Sequence, residues 1–210
     1  MSGGQNQKFM ADPAGYARGR TILVPMHGDD VGFWGKVQKG PFDLVEVTKS
    51  GFPGKVAALT HMTLRGKEQS DRTQPIEGVW IPYTPGDYKD EPVVAKGSAY
   101  FVFTSRLGGC AVGIRDLNSA ETKFSHDARS SNQQKNHLAD YAVKLLPGDY
   151  DPVGESSFDE DGMNVTAFFW WNGSKWQLGQ SALYSAQDGG QKLIHADDQY
   201  PLKAGAAPGK

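Results

Sequence analysis

The sequence is poor in cysteine and in long hydrophobic runs, and each shortage excludes a class of protein. Cys110 is the sole cysteine among 210 residues, so an intrachain disulfide framework is impossible. No apolar run reaches the roughly 18 residues that a membrane-spanning helix requires. The segment 1–18 is polar and rich in glycine, and it lacks the apolar core of a Sec-type signal peptide. We therefore expect a soluble protein with no membrane partner.

The sequence also lacks an excess of charge of either sign. Lysine and arginine total 22, aspartate and glutamate total 24, and the formal net charge is −2. Nucleic-acid-binding proteins neutralise phosphates with clustered basic residues, and without such a cluster we expect no nucleic-acid partner. The spacings C-x-x-C, H-x-x-x-H and H-E-x-x-H are missing too. The acidic run 159–161 is typical of a solvated loop, so we expect neither a metal nor another cofactor.

What is abundant indicates a β-rich fold with many turns. Glycine occurs 26 times and proline 12 times, while 38% of residues are hydrophobic and 11% are aromatic. Apolar runs predict strands over 21–25, 42–47, 55–64, 78–83, 98–104, 111–114, 123–127, 164–171, 176–184 and 192–195. The run 98–104 is almost wholly apolar, which is typical of a strand buried on both faces.

One helix is predicted among these strands. Leu138, Tyr141 and Ala142 begin an apolar stripe at helical spacing, which predicts a helix between Ser131 and Leu146. Strands predominate and the helix lies between them, so the pattern is not a βαβ alternation. We therefore predict an α+β fold, a single-domain sandwich of mixed β-sheets with a flanking helix and long loops.

The ends of the chain differ in composition from its middle. Residues 1–18 and 203–210 are rich in glycine, alanine and polar residues, and we expect both segments to be flexible. No interior linker is long enough to divide the remainder. The prediction is one domain over residues 19–202.

Cys110 follows two glycines at a predicted corner between strands, and this setting suggests chemistry. Gly108 and Gly109 lack side chains, so the backbone can turn sharply there and expose amide N–H groups. Such amides can form an oxyanion hole beside a nucleophile. A lone cysteine is more often a small buried hydrophobic residue, and that interpretation stays open on the residues alone.

A thiol nucleophile needs a base, and the chain has five histidines. His126 lies on the predicted strand 123–127, which the loop 115–120 joins to the strand after Cys110 in a predicted hairpin. We therefore expect His126 beside the thiol. The other histidines lack comparable proximity to it; they are His27, His61, His137 (expected to be solvated on the helix) and His195.

Thr104 lies six residues before Cys110, on an aromatic strand that leads into a Leu-x-Gly-Cys corner. A histidine segment, 124–128, follows, and a Trp-x-Pro strand, 79–83, precedes them. In this order the segments resemble the motifs of the Burkholderia lethal factor type of glutamine deamidase. The Thr, Cys and His order is similar to that of the chemoreceptor glutamine deamidases, and the Cys–His pair to that of the cytotoxic necrotizing factor catalytic domain. The similarity covers residues 76–128, about a quarter of the chain.

The resemblance implies a catalytic function. It implies that Cys110 is the nucleophile, that His126 takes its proton and that Thr104 holds the imidazole. It also implies an oxyanion hole of backbone amides in the corner 107–110, which consists of Leu107, Gly108, Gly109 and Cys110. The implied reaction converts a glutamine of a target protein to glutamate without a cofactor. The lethal factor suggests a host translation initiation helicase as target, and hence a bacterial toxin or effector delivered into the cytoplasm of a target cell.

The sequence departs from the family at two points. Gly108 replaces a small polar residue of the family's corner, and the loop between Cys110 and His126 is longer. Two alternatives to deamidation stay open. A transglutaminase or a cysteine protease would use the same Cys–His pair, and a non-catalytic protein-interaction domain would simply bury Cys110.

Overall fold

The computed structural model describes residues 4–23, 31–47, 55–62, 74–105, 107–150, 165–181, 183–187 and 190–194. The helices are α1 (Gln5–Ala11), α2 (Pro13–Arg18), α3 (Val31–Trp34), α4 (Ser131–His137) and α5 (Pro147–Tyr150). The first strands are β1 (Arg20–Leu23), β2 (Gln38–Val47), β3 (Lys55–His61), β4 (Ile76–Ile81), β5 (Tyr88–Val94) and β6 (Tyr100–Thr104). The later strands are β7 (Ala111–Ile114), β8 (Glu121–Asp127), β9 (Val143–Leu145), β10 (Ala167–Trp171), β11 (Trp176–Gln180), β12 (Leu183–Gln187) and β13 (Gly190–Ile194). Within these ranges no helix is both long enough and apolar enough to cross a membrane.

The strands confirm the predicted α+β sandwich. Sheet A is a mixed sheet of seven strands in the order β1-β3-β2-β4-β6-β10-β11, and sheet B is an antiparallel sheet in the order β5-β8-β7-β9. The strands β12 and β13 form a separate antiparallel pair. β6 lies between β4 and β10 in sheet A, and all five of its residues are buried, as its apolar run predicts.

Two apolar clusters cover the two faces of sheet A. Side chains that include Val102 and Phe169 pack with sheet B residues such as Val112 and form the core between the sheets. Aromatic side chains on the opposite face, Phe101 and Phe103 among them, form a second core. Alternation along β6 explains this division, because successive strand residues point to opposite faces.

The N-terminal segment packs onto this second core, which corrects the expectation that residues 1–18 are flexible. Over the described part, α1 and α2 place Phe9 and Tyr16 against sheet A. Phe9 is fully buried, and its ring centroid lies 4.9 Å from that of Phe101. The segment is held by these few aromatic anchors, which its mostly polar composition conceals. The tail 203–210 lies outside the described residues.

The predicted helix 131–146 is too long. It ends at His137, and residues Val143–Leu145 form β9 instead. The spacing of Val143 and Leu145 also suits a strand, and the open edge of β7 provides the pairing partner. The predicted hairpin of β7 and β8 is confirmed. A strand that the apolar pattern missed, β5, is charged at Lys89–Glu91 and forms the edge of sheet B.

Candidate active site

The three candidate residues lie on or directly beside strands of the two sheets, and they meet between the sheets. Thr104 is the last residue of β6 in sheet A, His126 lies on β8 in sheet B, and Cys110 directly precedes β7. Val112 pairs directly with His126, and Cys110 packs in the same intersheet cluster as Val112. Because Cys110 lies two residues before Val112, Cys110 and His126 are diagonal neighbours on the inner face of sheet B.

The hydrogen bonds of Thr104 set the tautomer of His126. Thr104 Oγ1 lies 2.7 Å from the carbonyl oxygen of Ile81 and 2.6 Å from His126 Nδ1. A hydroxyl has one proton, and the carbonyl can only accept, so Thr104 donates to Ile81 and accepts from Nδ1–H. The lone pair of the neutral imidazole is therefore on Nε2. This is the form that a general base requires.

The base is neutral and enclosed. His126 is 1% exposed, and burial lowers its pKa to about 4, although the charge of Asp127 acts in the opposite direction. Its Nε2 has no hydrogen-bond partner among the described residues. The imidazole and the thiol of Cys110 are thus diagonal neighbours without a hydrogen bond between them. A movement of one or both side chains would have to bring them together.

The thiol is neutral as well. Cys110 is 4% exposed, and burial raises its pKa to about 11, which a backbone N–H of Gly108 partly offsets and the charge of Asp127 reinforces. Near pH 7 the pair is therefore a thiol beside an imidazole, and an ion pair of thiolate and imidazolium is disfavoured. Such a pair acts by transferring the proton during attack, with His126 as general base.

The corner 107–110 is held by partners that the sequence pattern does not reveal. The backbone of Leu107 pairs with Val165, with its N–H 2.8 Å from the Val165 oxygen. Gly109 has a φ of 84°, a left-handed conformation that glycine adopts without strain. Tyr150 donates to the carbonyl of Cys110 at 2.7 Å, and Gln134 donates to the carbonyl of Gly109 at 2.9 Å.

The Trp-x-Pro strand contributes to the site from its carboxyl end. Tyr83 is 38% exposed, and its ring centroid lies 5.8 Å from that of His126. Burial raises the pKa of Tyr83, and the negative charge that Cys110 acquires when it loses its proton acts in the same direction. Trp80 lies on the other face of sheet A and donates to the Trp34 carbonyl at 2.7 Å, so its role is packing. Tyr83 is therefore the partly exposed aromatic residue at this edge of the site.

A partly buried ion pair follows His126 at the end of β8. The Asp127 side chain is 0% exposed and binds Arg129 through two hydrogen bonds of 2.9 and 2.6 Å. Burial opposes ionisation of Asp127, but the hydrogen bonds and charge of Arg129 outweigh it and lower the pKa of Asp127. The pair fixes the end of the strand that carries the base.

Other histidines lie apart from the thiol. We expected His137 to be solvated, but it makes side-chain contacts. Its Nε2 lies 3.0 Å from both Ser125 Oγ and Asp90 Oδ1, on the outer face of sheet B. His61 is buried next to Phe33 and Phe42, in the region of the second core. The remaining two candidates, at positions 27 and 195, lie outside the described residues.

Among the described residues, no group of three or more histidine, cysteine or carboxylate side chains could hold a metal ion. Neither models of known protein families nor curated protein sequences match this chain. The resemblance to the glutamine deamidases therefore rests on the motif residues alone.

Proposed function

We propose that this chain is a protein glutamine deamidase that works through a thioester on Cys110. The hydrogen-bond chain from His126 Nδ1 through Thr104 to the Ile81 carbonyl carries the proposal. It leaves the Nε2 lone pair on the face that also bears the thiol.

The reaction follows from these positions. As Cys110 Sγ forms a bond to the glutamine carboxamide carbon, His126 Nε2 takes the thiol proton. Backbone amides of the corner stabilise the oxyanion, except that of Leu107, which is bound to Val165. The C–N bond breaks, and ammonia leaves with the proton from His126. Water then attacks the thioester and gives a proton to His126, the C–S bond breaks, and the proton returns to the thiolate. The net change is glutamine plus water to glutamate plus ammonia.

The enclosure of the site favours water over an amine as the second nucleophile. Cys110 and His126 are both almost fully buried. To form the thioester, a glutamine side chain of the target must already enter this space, and a lysine side chain of a second protein would have to enter beside it, whereas water is small. This favours hydrolysis over transglutamination, which shares the thioester.

The target is proposed on the resemblance, which suggests a translation initiation helicase of a host cell and a bacterial effector that is delivered to it. Loops set the choice of substrate, and they vary more readily than the catalytic residues. The proposal of a helicase target is therefore separable from the proposal of deamidation.

The test combines ammonia release with mass spectrometry of the target. The wild-type protein is incubated with the helicase and with a host-cell extract, and Cys110→Ser is the matched control because it replaces only the sulfur. We expect glutamine-to-glutamate conversion by the wild-type protein and none by the variant. Equal ammonia release by both would contradict the proposal, and cross-linked or cleaved products would contradict its hydrolytic step.

A second candidate is a non-catalytic interaction domain with a buried cysteine. The 4% exposure of Cys110 and its raised pKa favour it. The rate at which a small ester acylates Cys110 separates the two, compared between the wild-type protein and His126→Gln. A catalytic pair predicts slower acylation in the variant, whereas a merely buried cysteine predicts equal rates.

A further inference from the structure

Gln134 is a fully buried polar residue whose side-chain amide contacts backbone groups next to the candidate active site. Its Nε2 lies 2.9 Å from the Gly109 oxygen, 3.1 Å from the Asp127 oxygen and 2.8 Å from the Arg129 oxygen. All three are backbone carbonyls, so the nitrogen of the side-chain amide must face them. Its Oε1 has no hydrogen-bond partner among the described residues.

These contacts join two segments that the reaction must hold together. Gly109 belongs to the corner 107–110, which carries the nucleophile, and Asp127 directly follows His126 on β8. One amide group on α4 therefore ties the loop of the nucleophile to the end of the strand of the base. Burying this polar group is unfavourable unless hydrogen bonds compensate it.

The bond to Gly109 also sets the direction of an amide N–H. The Gly109 C=O and the Cys110 N–H belong to one planar trans peptide, in which the two groups point in opposite directions. Gln134 holds the C=O on its own side, so the Cys110 N–H points away from α4. None of the described residues accepts a hydrogen bond from that N–H.

We infer that Gln134 is a positioning residue that orients the backbone N–H of Cys110 as an oxyanion donor. The inference rests on the proposed function only in needing Cys110 as a nucleophile. Gln134 touches no reacting atom, and it acts through the Gly109–Cys110 peptide. The reactions that depend on it are those in which a carbonyl oxygen gains negative charge beside this peptide.

Two reactions of the same thiol separate this role from a structural one. Acylation of Cys110 by p-nitrophenyl acetate forms the S–C bond, expels p-nitrophenolate and passes through an oxyanion, while His126 takes the thiol proton. Alkylation by iodoacetamide displaces iodide and forms no oxyanion. We expect Gln134→Leu to slow acylation about ten- to a hundred-fold, a part of the loss typical for removal of one donor, and to change alkylation less than about three-fold.

Tyr150→Phe is the matched control. It removes a buried hydrogen bond from the carbonyl of Cys110, which belongs to the next peptide, and that peptide does not contain the Cys110 N–H. We expect its ratio of acylation to alkylation to stay near the wild-type ratio. If Gln134→Leu does not fold, Gln134→Met supplies the same ratio, since it removes the amide and keeps an unbranched side chain of similar length.

The outcomes distinguish the inference from the proposed function. Equal losses in acylation and alkylation, equal ratios in the Gln134 and Tyr150 variants, or no loss at all would overturn the positioning role. A wild-type protein that p-nitrophenyl acetate acylates in a Gln134-dependent manner, but that releases no ammonia from proteins, would overturn deamidation and leave the positioning role standing.

Discussion

The two faces of sheet B each hold a histidine, in opposite surroundings. On the inner face, the nitrogen Nδ1 of His126 contacts the Thr104 hydroxyl, and the ring is almost fully buried. On the outer face, His137 has an 18% exposed side chain and contacts the carboxylate of Asp90. A hydroxyl can orient an imidazole without supplying a counter-charge, whereas a carboxylate also stabilises the imidazolium.

This difference distinguishes His126, which can act as a base, from His137, which makes structural contacts. The Nε2 of the inner histidine has no partner among the residues that the structure describes, which makes it available to take a proton. The outer histidine uses the same nitrogen, Nε2, to contact both Ser125 and Asp90. A Ser-His-Asp triad needs the two ring nitrogens for different partners. The outer cluster, which consists of Ser125, His137 and Asp90, therefore does not have that arrangement.

The largest expected effect is on the rate of deamidation, when each of the two histidines is replaced in a separate variant. His126→Gln should lower the rate of deamidation about a hundred- to ten-thousand-fold, because general-base catalysis contributes on that scale. His137→Gln, the matched control on the other face, should change it less than about three-fold. Steady-state rates of ammonia release check both variants. Similar losses in the two would remove the distinction between the faces.

Acid should destabilise the protein through the inner histidine. Burial lowers the folded pKa of His126 from 6.5 to about 4, so its neutral form contributes fully to stability above pH 6.5. As the pH falls from 6.5 to 4, the unfolded chain takes up a proton that the folded chain does not. The free energy of unfolding should then fall by about 3 kcal/mol on this account.

Urea unfolding at a series of pH values measures this loss. His61, whose pKa burial also lowers, adds a loss in the same direction. His126→Gln should lose only the share of His126 and retain that of His61. A pH dependence that is the same in both proteins would show that His126 titrates normally.

Removal of the Thr104 hydroxyl should reduce both activity and stability. Thr104→Val leaves the His126 Nδ1–H and the Ile81 carbonyl without their partner, which typically costs about 1–3 kcal/mol of stability. We expect the rate of ammonia release to fall about ten- to a hundred-fold, since the tautomer is no longer fixed. Thr104→Ser keeps the hydroxyl and should recover most of the rate. A Thr104→Val protein with wild-type activity would contradict the role of this hydrogen bond.

The smallest effect should follow from weakening the outer cluster. Asp90→Asn replaces the charged partner of His137 and Lys123. The cluster is partly exposed, so we expect a loss of about 0.5–1 kcal/mol in the free energy of unfolding, smaller at high salt, with an unchanged rate. Chemical denaturation at two ionic strengths checks this. A large loss of activity would connect the outer face to the reaction.

Local apolar runs and motif spacing predicted the part of the site that lies on strands. Continuous apolar residues identified β6, and the strand pattern on either side of the loop 115–120 identified the hairpin of β7 and β8. Together with the order of Thr104, Cys110 and His126, this placed the three residues near one another. Such features are local, and a single sequence contains them.

The predictions that failed, and the contacts that were missed, depend on partners distant in the chain. Val143 and Leu145 suit a helix or a strand, and only the open edge of β7 decides between them. Phe9 is one aromatic residue in a polar segment, and its burial depends on the aromatic face of sheet A. Gln134 binds backbone carbonyls from the corner 107–110 and from the end of β8 and the residues after it. Because backbone acceptors occur at every residue, no sequence motif signals such contacts.

The central claim is that His126 is a neutral base whose tautomer Thr104 sets. Nitrogen-15 NMR of the imidazole, recorded in the wild-type protein over a pH titration, tests it most directly. The prediction is a protonated Nδ1, an unprotonated Nε2 at neutral pH and a titration midpoint near pH 4. A proton on Nε2, or a midpoint near the ordinary value of about 6.5, would contradict it.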